Sequence, residues 1–179
     1  MSVELLAIGV VRSGTDVLLV RQGSPAGPGT VWALPGGRVD STELAVDALA
    51  REIREETGLT IDGVSRLVCV GQMVNATVIR RDAGEIPRPG GSAVILVYEV
   101  TAFHGSLDCS GDPDGDVAEA AWHPDEAAAA LLAQHPFPFV RSVATGALRR
   151  VEPGSAPAVE CYFRRAANGD DIPVAVTTV

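Results

Sequence analysis

The chain has 179 residues, of which 46% are hydrophobic and 21% charged, which excludes a fully disordered protein and predicts one globular domain of ordinary size. Fourteen Lys and Arg residues against 23 Asp and Glu residues give a net charge of −9. This charge disfavours proteins that bind duplex nucleic acid or anionic membrane surfaces. It is compatible with a phosphorylated small molecule, provided that a divalent cation lies between the like charges.

The first residues predict a β-hairpin. Residues 3–12 and 17–20 are rich in β-branched and aliphatic side chains and flank a Ser-Gly-Thr-Asp turn. The apolar run at 5–11 is too short to cross a bilayer and follows Glu4 rather than a basic segment, so we expect neither a membrane span nor a secretory leader. A loop without periodicity follows at residues 23–30.

One helix is expected in the middle of the chain. Residues 32–37 have the sequence Trp-Ala-Leu-Pro-Gly-Gly, in which the two glycines allow a sharp turn. Ser41 or Thr42 can cap a helix that runs to about Thr57, and Gly58 supplies its C-terminal stop.

Residues 64–134 predict two strands and a second helix. Residues 64–80 and 92–103 are β-rich, and the polar segment 81–91 separates them. An acidic loop at 108–116 then precedes an Ala/Leu helix at 125–134, which Pro124 and Asp125 are expected to start.

The signals weaken after a proline-rich stretch near residue 136. A helix at 140–150 and a strand at 158–164 are the interpretations that we favour there. We place a domain at residues 1–136 and a C-terminal extension at 137–179, which packs on the same domain and either completes its sheet or forms a homodimer contact. The order of strands and helices favours an α/β or α+β layered protein over a regular doubly wound sheet.

Cysteine usage indicates a reducing compartment, and we expect a cytoplasmic protein. Cys69, Cys109 and Cys161 are far apart and form no Cys-x-x-Cys pair, which disfavours a disulfide framework and a thiolate zinc site. We interpret them as small buried hydrophobic residues.

Three carboxylates share one face of the first helix. On a helical wheel Glu52, Glu55 and Glu56 fall within roughly 100° of arc, on the side of the small residues Ala45 and Ala48. Each like-charge pair at i,i+3 or i,i+4 costs roughly 0.2–0.5 kcal/mol, and negative charge near a helix C-terminus opposes the macrodipole. A solvated charged helix end explains this poorly. Hard oxygen donors without nearby His or Cys suit Mg²⁺ or Mn²⁺, so the pattern predicts a cation site.

The same segment matches a known motif at every defined position. The motif is G-x5-E-x7-R-E-U-x-E-E-x-G-U, where U is aliphatic, and the matching residues are Gly37, Glu43, Arg51, Glu52, Ile53, Glu55, Glu56, Gly58 and Leu59. The chain therefore resembles the Nudix hydrolase family, and residues 32–37 resemble the approach to the motif in its MutT-like branch. The resemblance implies an α/β fold of the Nudix type, with a mixed β-sheet sandwiched between helices.

The resemblance also implies an activity and roles for the motif residues. Nudix hydrolases use Mg²⁺ or Mn²⁺ and a water nucleophile to cleave a diphosphate linkage in a nucleoside diphosphate joined to a further group. The metal ligands that it implies are Glu52, Glu55, Glu56 and the carbonyl oxygen of Gly36. Arg51 and Glu43 are expected to hold the motif in shape.

The general base is open between a glutamate of the motif and a carboxylate on a distant loop. Glu119, three residues before Trp122, is the loop residue that fits best. We interpret Asp112, Asp114 and Asp116 as an ordinary solvated turn.

Candidate substrate contacts lie at four positions, namely Arg21, Trp32, Gly37 and Arg38. Arg21 ends the second predicted strand and can reach a phosphate, although a surface position is the simpler interpretation. Trp32 can stack on a base or pack beside the Pro-Gly-Gly turn. The three histidines show no spacing typical of a metal site and are expected to be structural or exposed, namely His104, His123 and His135.

Markers of particular subfamilies are absent, so the substrate stays open among an NTP or dNTP, an oxidised nucleotide and a nucleotide sugar. One alternative is a non-catalytic module that senses a nucleotide or ADP-ribose, which the intact motif disfavours. Another is a hydrolase of a non-nucleotide diphosphate, such as an isoprenoid diphosphate. Aromatic residues make up only 4% of the chain, which mildly favours that alternative because few rings are available to stack on a base.

Overall fold

The structure is a computed structural model that describes residues 3–75, 92–113, 115–149, 159–165 and 171–173. Its strands are β1 (Val3–Ser13), β2 (Asp16–Gly23), β3 (Thr30–Ala33), β4 (Gly36–Arg38), β5 (Thr60–Gly63), β6 (Arg66–Asn75), β7 (Ser92–Val100), β8 (Ala102–His104), β9 (Val117–Pro124), β10 (Val159–Arg165) and β11 (Asp171–Pro173). Its helices are α1 (Ala45–Thr57), α2 (Asp125–Leu132) and α3 (Pro138–Ala147). The predicted segment 81–91, Asp114 and the side chain of Cys161 lie outside the described residues.

Nine of the described strands form one mixed sheet in the order β11-β10-β6-β7-β1-β2-β3, with β4 added to β1 and β9 added to β2. β1 runs parallel to β7, and β10 runs parallel to β6, whereas the other pairs are antiparallel. The short strands β5 and β8 form a separate pair. This is the mixed α/β sheet that the sequence predicts.

The two faces of the sheet carry different helices. Side chains alternate along β1, so that Ala7 and Val11 belong to the cluster under α1, which includes Leu49 of that helix. Val10 belongs to the cluster on the opposite face, together with residues of α2 and α3 such as Phe139. Helices therefore cover both faces, as predicted.

The N-terminal hairpin is confirmed, since Arg12 pairs with Val17 across an antiparallel turn between β1 and β2. The predicted start of α1 is wrong by about three residues, because neither Ser41 nor Thr42 caps the helix and its first residue is Ala45. Glu43 instead lies in a turn before the helix, in which its backbone N–H donates to the carbonyl of Asp40. Its side chain extends toward Arg51, two turns into the helix.

The described residues beyond 136 pack on the sheet. α3 begins at Pro138, where the fixed φ of proline suits a first helical turn, two residues before the predicted start. A Cβ atom on Gly71 of β6 would lie 2.5 Å from Val143 and 3.1 Å from Phe139, so α3 approaches the strand more closely than any other residue allows. β10 agrees with its prediction to within one residue. The domain boundary at residue 136 stays a prediction.

β9 is a strand that the sequence pattern does not predict. Its eight residues include four of the sequence Ala-Glu-Ala-Ala, and alanine and glutamate have low strand propensity. Among the cysteines, Cys69 is buried and Cys109 is half-buried. No helix within the described ranges has the length and apolar character that a bilayer crossing requires.

Candidate active site

Helix α1 presents its last two turns to the site and is fixed at its C-terminus. Gly58 has a left-handed φ of 75°, and its N–H donates to the carbonyl of Arg54, which closes the helix. The loop after β8 then packs across this end, where the N–H of Asp108 donates to the carbonyl of Thr57 over 2.9 Å. Ile53 and Leu49 anchor the opposite face of the helix in the core.

Arg51 lies at the centre of the carboxylates of the motif. Its guanidinium donates two hydrogen bonds of 3.0 Å to the two oxygens of Glu43, one of 2.8 Å to Glu52 and one of 3.4 Å to Glu55. A further bond of 3.0 Å goes to the carbonyl of Arg38 in β4. Arg51 lowers the pKa of Glu43, and Glu43 in turn raises the pKa of Arg51. Glu43, Glu52 and Glu55 at this arginine, together with the neighbouring Glu56, form the carboxylate cluster.

Glu56 is the most deeply buried member of the carboxylate cluster, with 8% of its surface exposed. One of its oxygens accepts a hydrogen bond of 2.7 Å from the N–H of Gly36. Burial raises the pKa of Glu56 to about 8, and the charges of Glu52, Asp112 and Glu55 act in the same direction. Burial likewise raises the pKa of Glu52, against the influence of Arg51. A cation beside Glu56 would therefore relieve a real electrostatic cost.

Two glycines allow β4 to pass between β1 and α1. Gly36 has a φ of 129°, and a Cβ atom there would collide with the backbone of Ala7. A Cβ atom on Gly37 would lie 2.6 Å from the carboxylate carbon of Glu52. The second glycine therefore leaves the room in which the Glu52 carboxylate lies.

The donor set of the carboxylate cluster fits a hard divalent cation. Three carboxylates contact one guanidinium and Glu56 lies beside them, and oxygen ligands of this kind suit Mg²⁺ and Mn²⁺. Within the described ranges no three acidic, histidine or cysteine side chains already converge on a common point, because Arg51 and the Gly36 N–H hold several of the oxygens. Gly36 turns its N–H toward Glu56, so the predicted role of its carbonyl oxygen stays a prediction.

Arg21 and Glu119, two predicted site residues, pair with each other. They lie opposite one another on β2 and β9, and the guanidinium donates to the carboxylate over 2.9 Å. The side chains are 36% and 46% exposed, so the pair is accessible to solvent. Arg38 is also exposed and forms a salt bridge of 3.2 Å with Glu4.

Asp112 is closer to the carboxylate cluster than its interpretation as a solvated turn residue implies. It is half-buried, accepts a hydrogen bond of 2.9 Å from the N–H of Val117, and its charge contributes to the raised pKa of Glu56. Its neighbour Gly111 packs against the backbone of Glu55. No sequence signal could show this proximity, because it depends on how the acidic loop crosses the end of α1.

A cavity of about 480 Å³, the main cavity, lies on the sheet face opposite α1 and extends to Gly36. β1, β3 and α3 supply most of its aliphatic and aromatic wall, including Trp32 and Phe139. The Trp32 ring also packs edge-on against His123, with the ring centroids 4.7 Å apart. Both interpretations of Trp32 thus remain compatible with its position, since one part of the ring packs and another lines the cavity.

The remaining histidines differ in environment. His104 is exposed and contacts Asp62 over 3.0 Å, as expected of a surface residue. His135 is 5% exposed and lines the main cavity, between α2 and α3. The prediction that it is structural or exposed does not include a position in the wall of this cavity. The following Pro-Phe-Pro-Phe segment signals a turn but not its proximity to β3.

Comparisons with known proteins identify proteins of similar sequence. The chain is 28% identical over 109 residues to mouse 8-oxo-dGDP phosphatase NUDT18 and 29% identical over 109 residues to the human protein; each alignment covers 61% of this chain and 28% of the relative. The chain thus spans about 28% of the length of these curated relatives.

Solved structures share the fold. A MutT protein from Bacillus halodurans superposes with a TM-score of 0.65 at 18% identity, covering 94% of both chains. The ORF135 protein of E. coli gives a TM-score of 0.62 at 23% identity, covering 87% of this chain and 96% of the other. The family description NUDIX domain matches residues 3–143, which is most of the sequence. By fold, by motif and by this match, the chain belongs to the NUDIX domain family.

Proposed function

We propose that the protein is a metal-dependent pyrophosphohydrolase that cleaves the diphosphate linkage of a nucleoside diphosphate joined to a further group. The observation that carries the proposal is the surplus of negative charge in the carboxylate cluster. Three carboxylates contact one guanidinium, and a fourth, Glu56, is buried beside them with a pKa raised to about 8. A fold that keeps such a cost without a counter-charge is arranged for a cation.

The residues of the carboxylate cluster divide into ligands and supports. Glu52, Glu55 and Glu56 would hold Mg²⁺ or Mn²⁺, which when bound neutralises the phosphate charge and lowers the pKa of water. Arg51 orients Glu52 and Glu55 by donating to one oxygen of each, and Glu43 fixes Arg51 through two hydrogen bonds. This support limits the rearrangement needed when a substrate arrives.

Residues outside the carboxylate cluster are proposed as phosphate and proton-transfer groups. Arg21, Arg38 and the backbone at Gly37 can contact the diphosphate. Water activation belongs to a glutamate of the motif or to Glu119, which would first release Arg21. Asp112 adds a half-buried carboxylate on the same side as Glu56.

The substrate class that we propose is a nucleotide, including an oxidised nucleotide or a nucleotide sugar. The main cavity has a volume of about 480 Å³, which lies in the range of small-molecule sites, and it adjoins Glu56 through Gly36. The similar mouse and human proteins are named for action on 8-oxo-dGDP. A cytoplasmic location and a homodimer also remain proposals.

The test is a substrate panel with a matched pair of variants. Purified protein is incubated with NTPs, dNTPs, 8-oxo-dGDP, nucleotide sugars and geranyl diphosphate in excess Mg²⁺ or in EDTA, and the monophosphate products are separated from the substrate by chromatography and measured. We expect turnover of at least one nucleotide, lost in EDTA. Glu56→Gln should lower kcat/KM by at least about 10²-fold, the size of one lost electrostatic contact to a transition state. Glu126→Gln, an exposed carboxylate at the start of α2, should not.

Three results would contradict the proposal. Tight nucleotide binding without turnover would identify a sensing module. Turnover confined to geranyl diphosphate would identify a hydrolase of non-nucleotide diphosphates. Full activity of Glu56→Gln would show that the metal ligands are assigned wrongly.

A further inference from the structure

His135 is held in one orientation by its own chain segment. The N–H of Phe137 donates to Nδ1 over 3.2 Å, and the guanidinium of Arg141 donates to the carbonyl of His135 over 2.9 Å. A backbone N–H can only donate, so Nδ1 is the acceptor and carries no proton. The neutral ring therefore carries its proton on Nε2.

The surroundings of His135 keep the ring neutral. Burial lowers its pKa, and the positive charge of Arg141 acts in the same direction. Within the part of the chain that the structure describes, no residue accepts a hydrogen bond from Nε2. The ring lines both the main cavity and a smaller cavity of about 120 Å³, and it shares both walls with Trp32. A hydrogen-bond donor without a partner thus lies in an otherwise apolar wall.

Other polar side chains of the main cavity are placed differently. Glu4 is exposed and bound to Arg38, and Gln22 is half-exposed. Among the described side chains of the wall, His135 is the titratable one that has less than a tenth of its surface exposed. The Nε2 donor is open to the space of the main cavity, where an acceptor on a bound ligand can take the place of water.

We propose that His135 determines specificity, by donating a hydrogen bond from Nε2 to a carbonyl oxygen or ring nitrogen of a nucleobase bound in the main cavity. This inference rests on the proposed function for the identity of the substrate. The apolar space beside Trp32 can hold an aromatic ring, and a ring that carries acceptors on its edge satisfies the donor. A hydrocarbon chain would fill the same space and leave Nε2 unpaired, so the site selects against it.

The test compares three forms of the full chain in binding experiments that need no turnover. The wild type, His135→Phe, which keeps an apolar ring without the donor, and His135→Gln, which restores an N–H donor, are titrated by calorimetry. The probes are AMP, GMP, CMP, UMP, 8-oxo-GMP, geranyl phosphate and ribose 5-phosphate, the last of which lacks a base.

We expect the wild type to prefer at least one nucleoside monophosphate over ribose 5-phosphate and geranyl phosphate. His135→Phe should weaken binding of that nucleotide about tenfold, which corresponds to one hydrogen bond, and leave ribose 5-phosphate unchanged. His135→Gln should restore most of the affinity. With a hydrolysed nucleotide, KM should rise in His135→Phe while kcat stays within about threefold, a division that a merely structural role would not produce.

A spectroscopic measurement on the wild type covers the case in which a variant does not fold. Long-range proton–nitrogen correlation spectra should show the His135 proton on Nε2, and its resonance should move when the preferred nucleotide is added. A proton on Nδ1, or a resonance that does not respond, would overturn the proposal. So would equal nucleotide affinity in His135→Phe and the wild type, or tighter binding of geranyl phosphate.

The two proposals fail in different ways. Binding that depends on His135 without any hydrolysis would contradict the proposed function and support the role of His135. Hydrolysis of nucleotides with an unchanged KM in His135→Phe would contradict the role of His135 and leave the hydrolase intact.

Discussion

Two arginines, Arg12 and Arg51, each gather several acceptors, yet their surroundings differ in charge. Arg12 is 6% exposed and contacts Glu99 over 3.3 Å, the carboxylate of Asp125 and the carbonyl of Leu148 over 2.9 Å. Glu99 also accepts from Arg66 over 2.9 Å, so two cations meet two anions. Around Arg51 a single cation contacts three carboxylates, and the buried carboxyl group of Glu56 lies beside them without contacting it.

The difference in charge balance distinguishes a group that joins elements of the fold from the group that we propose to bind a cation. The balanced group at Arg12 joins β1 and β7 to the start of α2 and the end of α3. The unbalanced carboxylate cluster retains a buried carboxyl group, Glu56, with a pKa of about 8. Surplus charge of one sign, rather than burial or the number of ion pairs, therefore distinguishes the proposed cation site from the group at Arg12.

The largest effect is expected from Arg12→Met. Removing this buried guanidinium leaves the carboxylates around it with less positive charge to compensate them, so the free energy of unfolding should fall by about 3–5 kcal/mol, equally in EDTA and in Mg²⁺. Urea unfolding measures this loss. Arg66→Met is the matched control, because its side chain is 33% exposed and its loss should cost less than about 1 kcal/mol. A deficit that Mg²⁺ removes would contradict the assignment of Arg12 to structure alone.

Arg51→Met should behave differently in the same assay. In EDTA the loss of hydrogen bonds to charged groups should lower the free energy of unfolding by about 1.5–3 kcal/mol. Excess Mg²⁺ should reduce the deficit relative to the wild type, because the native carboxylates then share the added cation. If the deficit is the same in both buffers, the two arginine groups do not differ in the way proposed.

The third prediction concerns the pH dependence of the metal-free protein. The pKa of Glu56 is about 8 in the native state, against an ordinary value of 4.5. The native state therefore binds a proton that the unfolded state has lost, and stability falls as pH rises between these values, by about 1.4 kcal/mol per pH unit. From about pH 6 to about pH 8, wild-type protein should lose about 2 kcal/mol relative to Glu56→Gln. Parallel stability curves for the two proteins would contradict the raised pKa.

The smallest effect is expected at the exposed pair of Arg21 and Glu119. A double-mutant cycle of Arg21→Met and Glu119→Gln in urea should give a coupling energy below about 1 kcal/mol that decreases further in high salt. A larger or salt-independent value would show that this pair, like the group at Arg12, belongs to the structural framework.

Local sequence signals predicted the parts of the site that lie within one helix. The carboxylate arc of α1 and its stop at Gly58 follow from 3.6-residue periodicity and glycine chemistry, and the hairpin follows from alternation around a turn. The start of α1 did not follow, because Glu43 is used by Arg51 rather than as part of a regular first turn.

Contacts between distant segments could not be predicted in this way. Asp112 reaches the carboxylate cluster through the loop that crosses the end of α1, and its own neighbours in sequence carry no sign of that path. His135 lines a cavity only because α3 folds back onto β6. Both positions depend on tertiary packing across more than fifty residues, which hydrophobic periodicity does not encode.

The close approach of α3 to Gly71 has a consequence for how this protein can diversify. The motif that carries the chemistry ends at Leu59, whereas the wall around His135 rests on a helix that docks against one glycine of β6. A side chain at position 71 would push this helix outward and widen the space beneath it, leaving α1 and its carboxylates in place. Under the two proposals, substrate range and bond cleavage depend on separate stretches of chain, so a substitution at position 71 is expected to change the first without the second.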